Sequence, residues 1–336
     1  MLSDPGPLGP GSFALCWWFY AVAMDGGSLK VVLVGGSGFL GRGLRARLSK
    51  VGHKVTVIGR RPSNTFDGWR HVQWDGKNLG SWTDALEGAD VIVHLAGKRV
   101  DCPPTPENID QLISSREGTV RLVGKALEGL DTPPSAWVQL SSLAIFGDSG
   151  DEIIDESTIP PTTGIRQQVE VCQRWEAAFR DVTAGVERTT LLRPAIGIGG
   201  PGDPATFRLA RLARFRLAGP VGSGTQWVSW IGAPDFFNIL EQSVLDPSME
   251  GLYHLTAPNP VQNKDLMAAY RKAVGQRIGL PAPAFITKIG ARVLKSDPDL
   301  PLTGRRGVPT RLLADGYSFE VTNVYDAVDM AVNNPS

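Results

Sequence analysis

Residues 29–41 read LKVVLVGGSGFLG. The apolar, largely β-branched run from Leu29 to Val34 suits a strand buried on both faces. A glycine turn stops it, and Leu40, Leu44 and Leu48 then recur at every fourth position, the spacing of an amphipathic helix. Strand, glycine turn and helix in immediate succession build a cradle for phosphate. Gly35 permits the tight turn, Gly38 leaves room for a pyrophosphate, and Gly41 lets the helix close on the sheet, with the free N–H groups of the helix start facing the anion. Phe39 and Leu40 belong to the same cradle. The spelling G-x-x-G-x-x-G is weak alone, and a purely structural turn is the alternative. Its place between a buried strand and a helix carries the dinucleotide reading.

Outward from that stretch the pattern repeats. HKVTVIG (53–59) is a second strand, HVQWD (71–75) a short third, WTDALEGAD (82–90) a helix and VIVHLAG (91–97) another buried strand. Residues 107–129 predict one long amphipathic helix, AWVQLSS (136–142) a strand, IRQQVEVCQRWEAAFR (165–180) a helix and RTTLLRP (188–194) a strand. Strands alternating with crossover helices predict an α/β fold, a Rossmann-type doubly wound parallel sheet over residues 29–200. Ligands of such sheets gather beyond the carboxyl ends of the strands.

After Gly199 the composition shifts, and residues 201–336 predict a smaller, mixed, substrate-side lobe, some of whose elements return to the first domain. Phe207, Leu209, Leu212, Phe215 and Leu217, mixed with four arginines, read as a charge-laced helix against the core. Membrane-surface binding is the lesser reading there, because Gly219 and Pro220 end the segment early. GLYHL (251–255) is a short strand, and a further helix starts near Asn263.

Bulk properties narrow the function. The chain has 336 residues with 34 basic and 34 acidic side chains, so no global field favours nucleic acid or anionic lipid. Cys16, Cys102 and Cys172 are far apart and odd in number, which speaks against a disulfide framework or a Cys-based zinc site and fits a reducing compartment. Four scattered histidines give a metal site no support. These features predict a cytoplasmic protein with a small-molecule substrate, without metal, nucleic acid or membrane partner; an organelle stays open.

Residues 1–28 read as a non-core extension. FALCWWFYAVAM (13–24) is too short to span a bilayer as a standard helix and has no preceding cation as a signal peptide would. A weak anchor or a partner-binding segment is the other reading, and an upstream start before Met24 would also account for it.

Cofactor subtype is read at the end of the second strand, where IGRRP places Gly59, Arg60 and Arg61 instead of an acid. An acid there would accept from the adenosine ribose hydroxyls, whereas guanidinium forks suit a 2′-phosphate, so NADP is favoured over NAD. Solvated turn residues are the alternative. Leu95, Ala96 and Gly97 end the fourth strand and can shelve the dinucleotide. Arg116, on the next helix, is either a surface cation or a residue reaching back toward it.

The motifs GGSGFLG, SREGTVRLV, FGDSGDEIIDE, VCQRWEAA, GPVGSGTQWVSWI, LTAPNPVQNKDL and GVPTRLLADGYSFE, spread from residue 29 to the end, resemble the extended short-chain dehydrogenases/reductases. More narrowly they resemble an atypical, epimerase-like family with its own small carboxyl-terminal domain. The resemblance implies that Gln111, Arg116 and Glu176 face the cofactor, that Ser142 stands beside the substrate carbonyl, and that a homodimer is possible. It also implies a Tyr and, four residues later, a Lys on one helical face. Alignment on Glu176 puts Gln168 and Cys172 there instead. An amide does not titrate usefully near neutral pH, and a thiol supplies no fixed cation. Cys172 reads more simply as a small core residue, and Tyr253 and His254 are either substrate-lining or plain strand residues. Phe146 replaces a phenol common in relatives, and WIGAPDF (230–236) departs from a favoured His and paired Asp. The expectation is an NADP-dependent oxidoreductase of epimerase/dehydratase type, acting on a small carbonyl, alcohol or sugar nucleotide. The alternative is a non-catalytic NADP(H)-binding module or redox sensor.

Overall fold

A computed structural model describes residues 27–62, 69–200, 202–293 and 295–333. The apolar segment 13–24, and all of the expected extension but its last residues, lie outside the described residues.

The sheet strands are β1 (Lys30–Val34), β2 (Lys54–Gly59), β3 (Arg70–Gln73), β4 (Val91–His94), β5 (Ala136–Leu140), β6 (Arg188–Pro194) and β7 (Gly251–Leu255). They form one sheet in the order β7-β6-β5-β4-β1-β2-β3, every neighbouring pair parallel. Strand order reverses between β1 and β4, which opens a crevice at their carboxyl ends. Leu33, Ile58 and Ile92 are fully buried at its centre. Each contributes about 1.5–3 kcal/mol, a large share of a domain's net stability.

The helices of eight or more residues are α1 (Phe39–Lys50), α2 (Pro106–Ile113), α3 (Thr119–Leu127), α4 (Val169–Val182), α5 (Pro204–Arg214), α6 (Ala233–Leu245), α7 (Asn263–Ala273), α8 (Ala284–Val293) and α9 (Val324–Asn333). In α1, Leu44 and Leu48 are buried and Leu40 packs partly against the core, as their spacing requires. The helix expected over 82–90 is only a 3-10 turn, Ser81–Ala85, because Gly88 takes φ +62° and turns the chain. The long helix expected over 107–129 begins where Thr105 accepts from the Asn108 N–H, but a π-helical turn, Ser114–Gly118, separates α2 from α3. Such a turn inserts an extra residue into the helical register, a device common near functional sites.

Elements from beyond residue 200 return to the first domain. β7 completes the main sheet beside β6, and Arg47 of α1 bonds Glu241 of α6 at 2.9 Å. What remains is a second core in which Ala210 and Ala213 of α5, Met267 and Tyr270 of α7 and Val324 and Val328 of α9 surround Trp230. A two-residue parallel ladder, Ile153–Ile154 with Arg306–Gly307, ties this lobe back to the first.

Candidate dinucleotide and substrate site

Gly35 has φ +81°, and a β-carbon there would come within 2.5 Å of the Ala96 Cα, so the β1 turn and the end of β4 touch. A side chain at Gly41 would meet the Gly36 backbone at 2.3 Å, whereas one at Gly38 would meet nothing within 4 Å. The turn is therefore closed at its first and third glycines and open at the second. Gly38 is also the N-cap of α1 and no side chain caps it, which leaves the helix start free to receive an anion. Phe39 does not point its ring there: the ring packs edge-on to Phe237, centroids 5.7 Å apart. What Phe39 and Leu40 can offer a ligand is backbone N–H. A separate cavity of about 670 Å³ lies behind this turn, between α1, α6 and α9, and includes Arg42, Arg47 and Met330.

Gly59 lies beside Ser37 of that turn, so the end of β2 borders it. Arg60 and Arg61 follow, both exposed, and neither has an acidic partner among the described residues. Leu95 is half-buried and held by its N–H to the Val34 carbonyl at 2.8 Å; Ala96 is buried and Gly97 exposed.

Arg116 is not a surface cation. It is buried, donates to the Lys98 carbonyl at 2.9 Å and the Leu112 carbonyl at 3.3 Å, and lies 5.0 Å over the Trp175 ring. It clamps the loop after β4 from the π-helical turn. Gln111 is exposed, and its carbonyl oxygen accepts from the Lys98 ammonium at 2.6 Å.

Glu176 is 1% exposed and committed: Arg193 donates to its two oxygens at 2.9 and 2.8 Å, and the Ser141 hydroxyl donates at 2.6 Å. Ser142, next in the chain, is half-buried and accepts from the Ala144 N–H at 3.1 Å, so its own hydroxyl proton can be donated. It stands at the carboxyl end of β5, on the same sheet edge as the glycine turn.

Gln168 and Cys172 open α4. The Gln168 carbonyl oxygen accepts from the Arg305 guanidinium and, at 3.5 Å, from the Thr303 hydroxyl. Arginine has no acceptor atom, so this contact fixes the amide with its NH₂ on the other side, where it has no partner among the described residues. Cys172 is buried against Leu143 and Phe146, and burial pushes its thiol up to about 12. At neutral pH it is an uncharged core group, despite Arg116 and Arg305 nearby. His254 is a fully buried residue of β7, edge-on to Phe146, and His94 is a fully buried residue of β4; burial drives both down to about 3. Tyr253 donates to Asp315 at 2.9 Å and is held up at about 12 by burial and that carboxylate. Asp235 accepts from the N–H groups of Glu320 and Val321 and from the Tyr317 hydroxyl, bracing the late segment rather than a ligand.

Arg193, Lys98 and Arg305 were not singled out from sequence. Arg193 had a usable signal, a cation directly after the apolar pair Leu191 and Leu192 in the strand RTTLLRP, where burial calls for an acid opposite it. Arg305 had none, because its partner lies across the lobe junction. No three His, Cys, Asp or Glu side chains among the described residues are grouped to hold a metal, and none of their helices is long and apolar enough to cross a membrane.

Comparison with known proteins agrees with this geometry. The human epimerase family protein SDR39U1 is 29% identical over 294 residues, covering 87% of this chain and 95% of that protein. The chloroplastic SDR39U1 homolog of Arabidopsis thaliana is 26% identical, covering 89% and 86%. A crystal structure of human SDR39U1 (isoform 2) with NADPH superposes with a TM-score of 0.78 at 26% identity, over 91% of this chain and 100% of that one. The model of the NAD dependent epimerase/dehydratase family matches residues 31–242. A parallel sheet with its glycine turn at the switch point, matched over most of the chain, places this protein in the NAD dependent epimerase/dehydratase family, among its SDR39U1-like epimerase relatives.

Proposed function

We propose that the protein binds NADP(H) and acts as an oxidoreductase of epimerase/dehydratase type on a small carbonyl, alcohol or sugar-nucleotide substrate. The observation that carries this is the open approach at Gly38 over an uncapped helix start, bordered by Arg60 and Arg61 with no acid at the end of β2. A dinucleotide pyrophosphate fits the first feature and an adenosine 2′-phosphate the second. The bound cofactor supplies hydride chemistry. Ser142 polarises the substrate oxygen, and Glu176 acts by fixing Ser141 and Arg193 rather than by touching the cofactor. Arg116 and Gln111 hold the loop after β4 in place for it.

A second reading, binding without turnover, is favoured by the opening of α4. Gln168 has no proton to give near neutral pH and the Cys172 thiol is uncharged, so the proton must come from water or another group.

Fluorescence titration separates the readings. NADPH should bind more tightly than NADH, and Arg60→Ala with Arg61→Ala should cost about 10–100-fold for NADPH alone, the loss of charge-assisted hydrogen bonds. Tighter binding of NADH, or equal losses for both cofactors, refutes the 2′-phosphate assignment. Absence of turnover across carbonyl and sugar-nucleotide panels, with NADPH bound, refutes the enzyme.

A further inference from the structure

Helix α8 is amphipathic, yet Ala291 is the side chain it buries. Phe285, Ile286, Ile289 and Val293 are 65, 48, 56 and 77% exposed. Their spacing puts all four within an arc of about 100° on one helical face. The preceding loop continues the face with Ile278 and Leu280, also exposed. Backbone bonds from Leu280 N–H to the Arg216 carbonyl at 2.8 Å, and from Ala282 N–H to the Pro220 carbonyl at 2.9 Å, lay this loop along the end of α5. There Phe215 and Leu217 are exposed, and Phe207, Arg211, Arg214 and Phe215 share one side of α5. α5 rests on the second core through Ala210 and Ala213, while its outer side mixes the exposed rings of Phe207 and Phe215 with the arginines that lace the helix.

The charge around this surface is one-sided. Residues 204–234 contain Arg208, Arg211, Arg214 and Arg216 and no acid, and residues 266–296 contain six Lys or Arg and no acid, in a chain whose net charge is zero. Arg208 pairs with Asp101; the others form no ion pair among the described residues. A hollow of about 350 Å³ next to Ile278 is walled by Arg271, Lys272 and Arg277.

We propose that α8, the loop before it and the outer side of α5 form a docking surface for an anionic lipid bilayer. The apolar arc enters the boundary between headgroups and acyl chains, and the surrounding guanidinium and ammonium groups meet lipid phosphates and carboxylates. Charge complementarity selects this occupant. A second copy would set cation against cation across a two-fold axis. Nucleic acid would find only Phe207, Phe215 and Phe285 to stack on and would leave the aliphatic Ile278, Leu280, Ile286, Ile289 and Val293 uncovered.

The test is sedimentation of the full chain with vesicles of phosphatidylcholine alone and of phosphatidylcholine with about 30% phosphatidylserine. The expected preference for the anionic vesicles is about tenfold or more, declining with salt as the charges are screened. Ile289→Asp with Val293→Asp should abolish it, and Arg211→Glu with Arg214→Glu should lower it about tenfold, with unchanged circular dichroism. These variants keep residues 13–24, so equal sedimentation of wild type and the Ile289/Val293 variant would assign binding elsewhere and overturn the proposal. No preference for anionic vesicles overturns it too. So does self-association of the wild type that this variant loses, or binding to polyglutamate with the same dependence on Ile289 and Val293 and none to vesicles. NADPH titration of the same samples reports the cofactor site independently, so failure of one reading does not imply failure of the other.

Discussion

Arg193 grips Glu176 at two points, Nε to Oε1 at 2.9 Å and Nη2 to Oε2 at 2.8 Å, in a buried joint between β6 and α4. Removing one partner strands the other charge away from water. Glu176→Ala should therefore destabilise the protein by about 3–5 kcal/mol in urea unfolding. The folded fraction should keep its NADPH affinity within about threefold, since the carboxylate acts through its neighbours. A loss as large as that of the Arg60/Arg61 variant would put Glu176 against the cofactor.

The second and third glycines of the turn should fail differently. Gly38→Ala adds a methyl group where nothing lies within 4 Å, so folding should be nearly unaffected while NADPH binding collapses. Gly41→Ala drives a methyl group into the Gly36 backbone and should lower the unfolding midpoint first. Equal stability losses in the two variants would remove Gly38 from the phosphate path.

His94 and His254 predict acid sensitivity with a definite sign. Burial lowers both from 6.5 to about 3, so the unfolded chain binds more protons than the native one throughout that window. Their contribution is complete above pH 6.5 and is lost as pH falls toward 3. The slope is about 1.4 kcal/mol per pH unit for each histidine. Urea midpoints between about pH 5 and 6.5, compared with those of His94→Gln, should show about half of this slope removed.

Cys172 should be silent to thiol reagents. With its thiol raised to about 12 and its side chain buried, a chain carrying Cys16→Ser and Cys102→Ser should not react with Ellman's reagent at pH 8 until urea unfolds it. Rapid native labelling would instead reveal an accessible thiolate beside the cleft.

The fold was legible because its signals are local. A buried strand, a turn and a helix lie within residues 29–50, and each later strand carries its own apolar run. Boundaries that depend on a single backbone angle or an extra helical residue were not: Gly88 cut short the helix expected at 82–90, and the π-helical turn at Arg116 divided the one expected at 107–129. In the site, the close packing at Gly35 and Gly41, the open approach at Gly38 and the exposed position of Arg60 just past β2 were readable from position alone. Glu176 illustrates the limit. Its place on the helix face was correct, but its partner Arg193 comes from another strand, and no local pattern shows where both carboxylate oxygens are spent.

The strand order also dictates an order of assembly. β1 to β6 are complete by Pro194, yet the neighbour that covers β6 is β7, beginning at Gly251, and Arg305 reaches Gln168 later still. During synthesis the β6 edge stays unpaired while α5 and α6 emerge, a state open to mispairing with other chains. The nascent protein thus holds its glycine turn well before its cleft is sealed, and a ribosome paused between residues 200 and 250 would display a nucleotide cradle on an unfinished sheet.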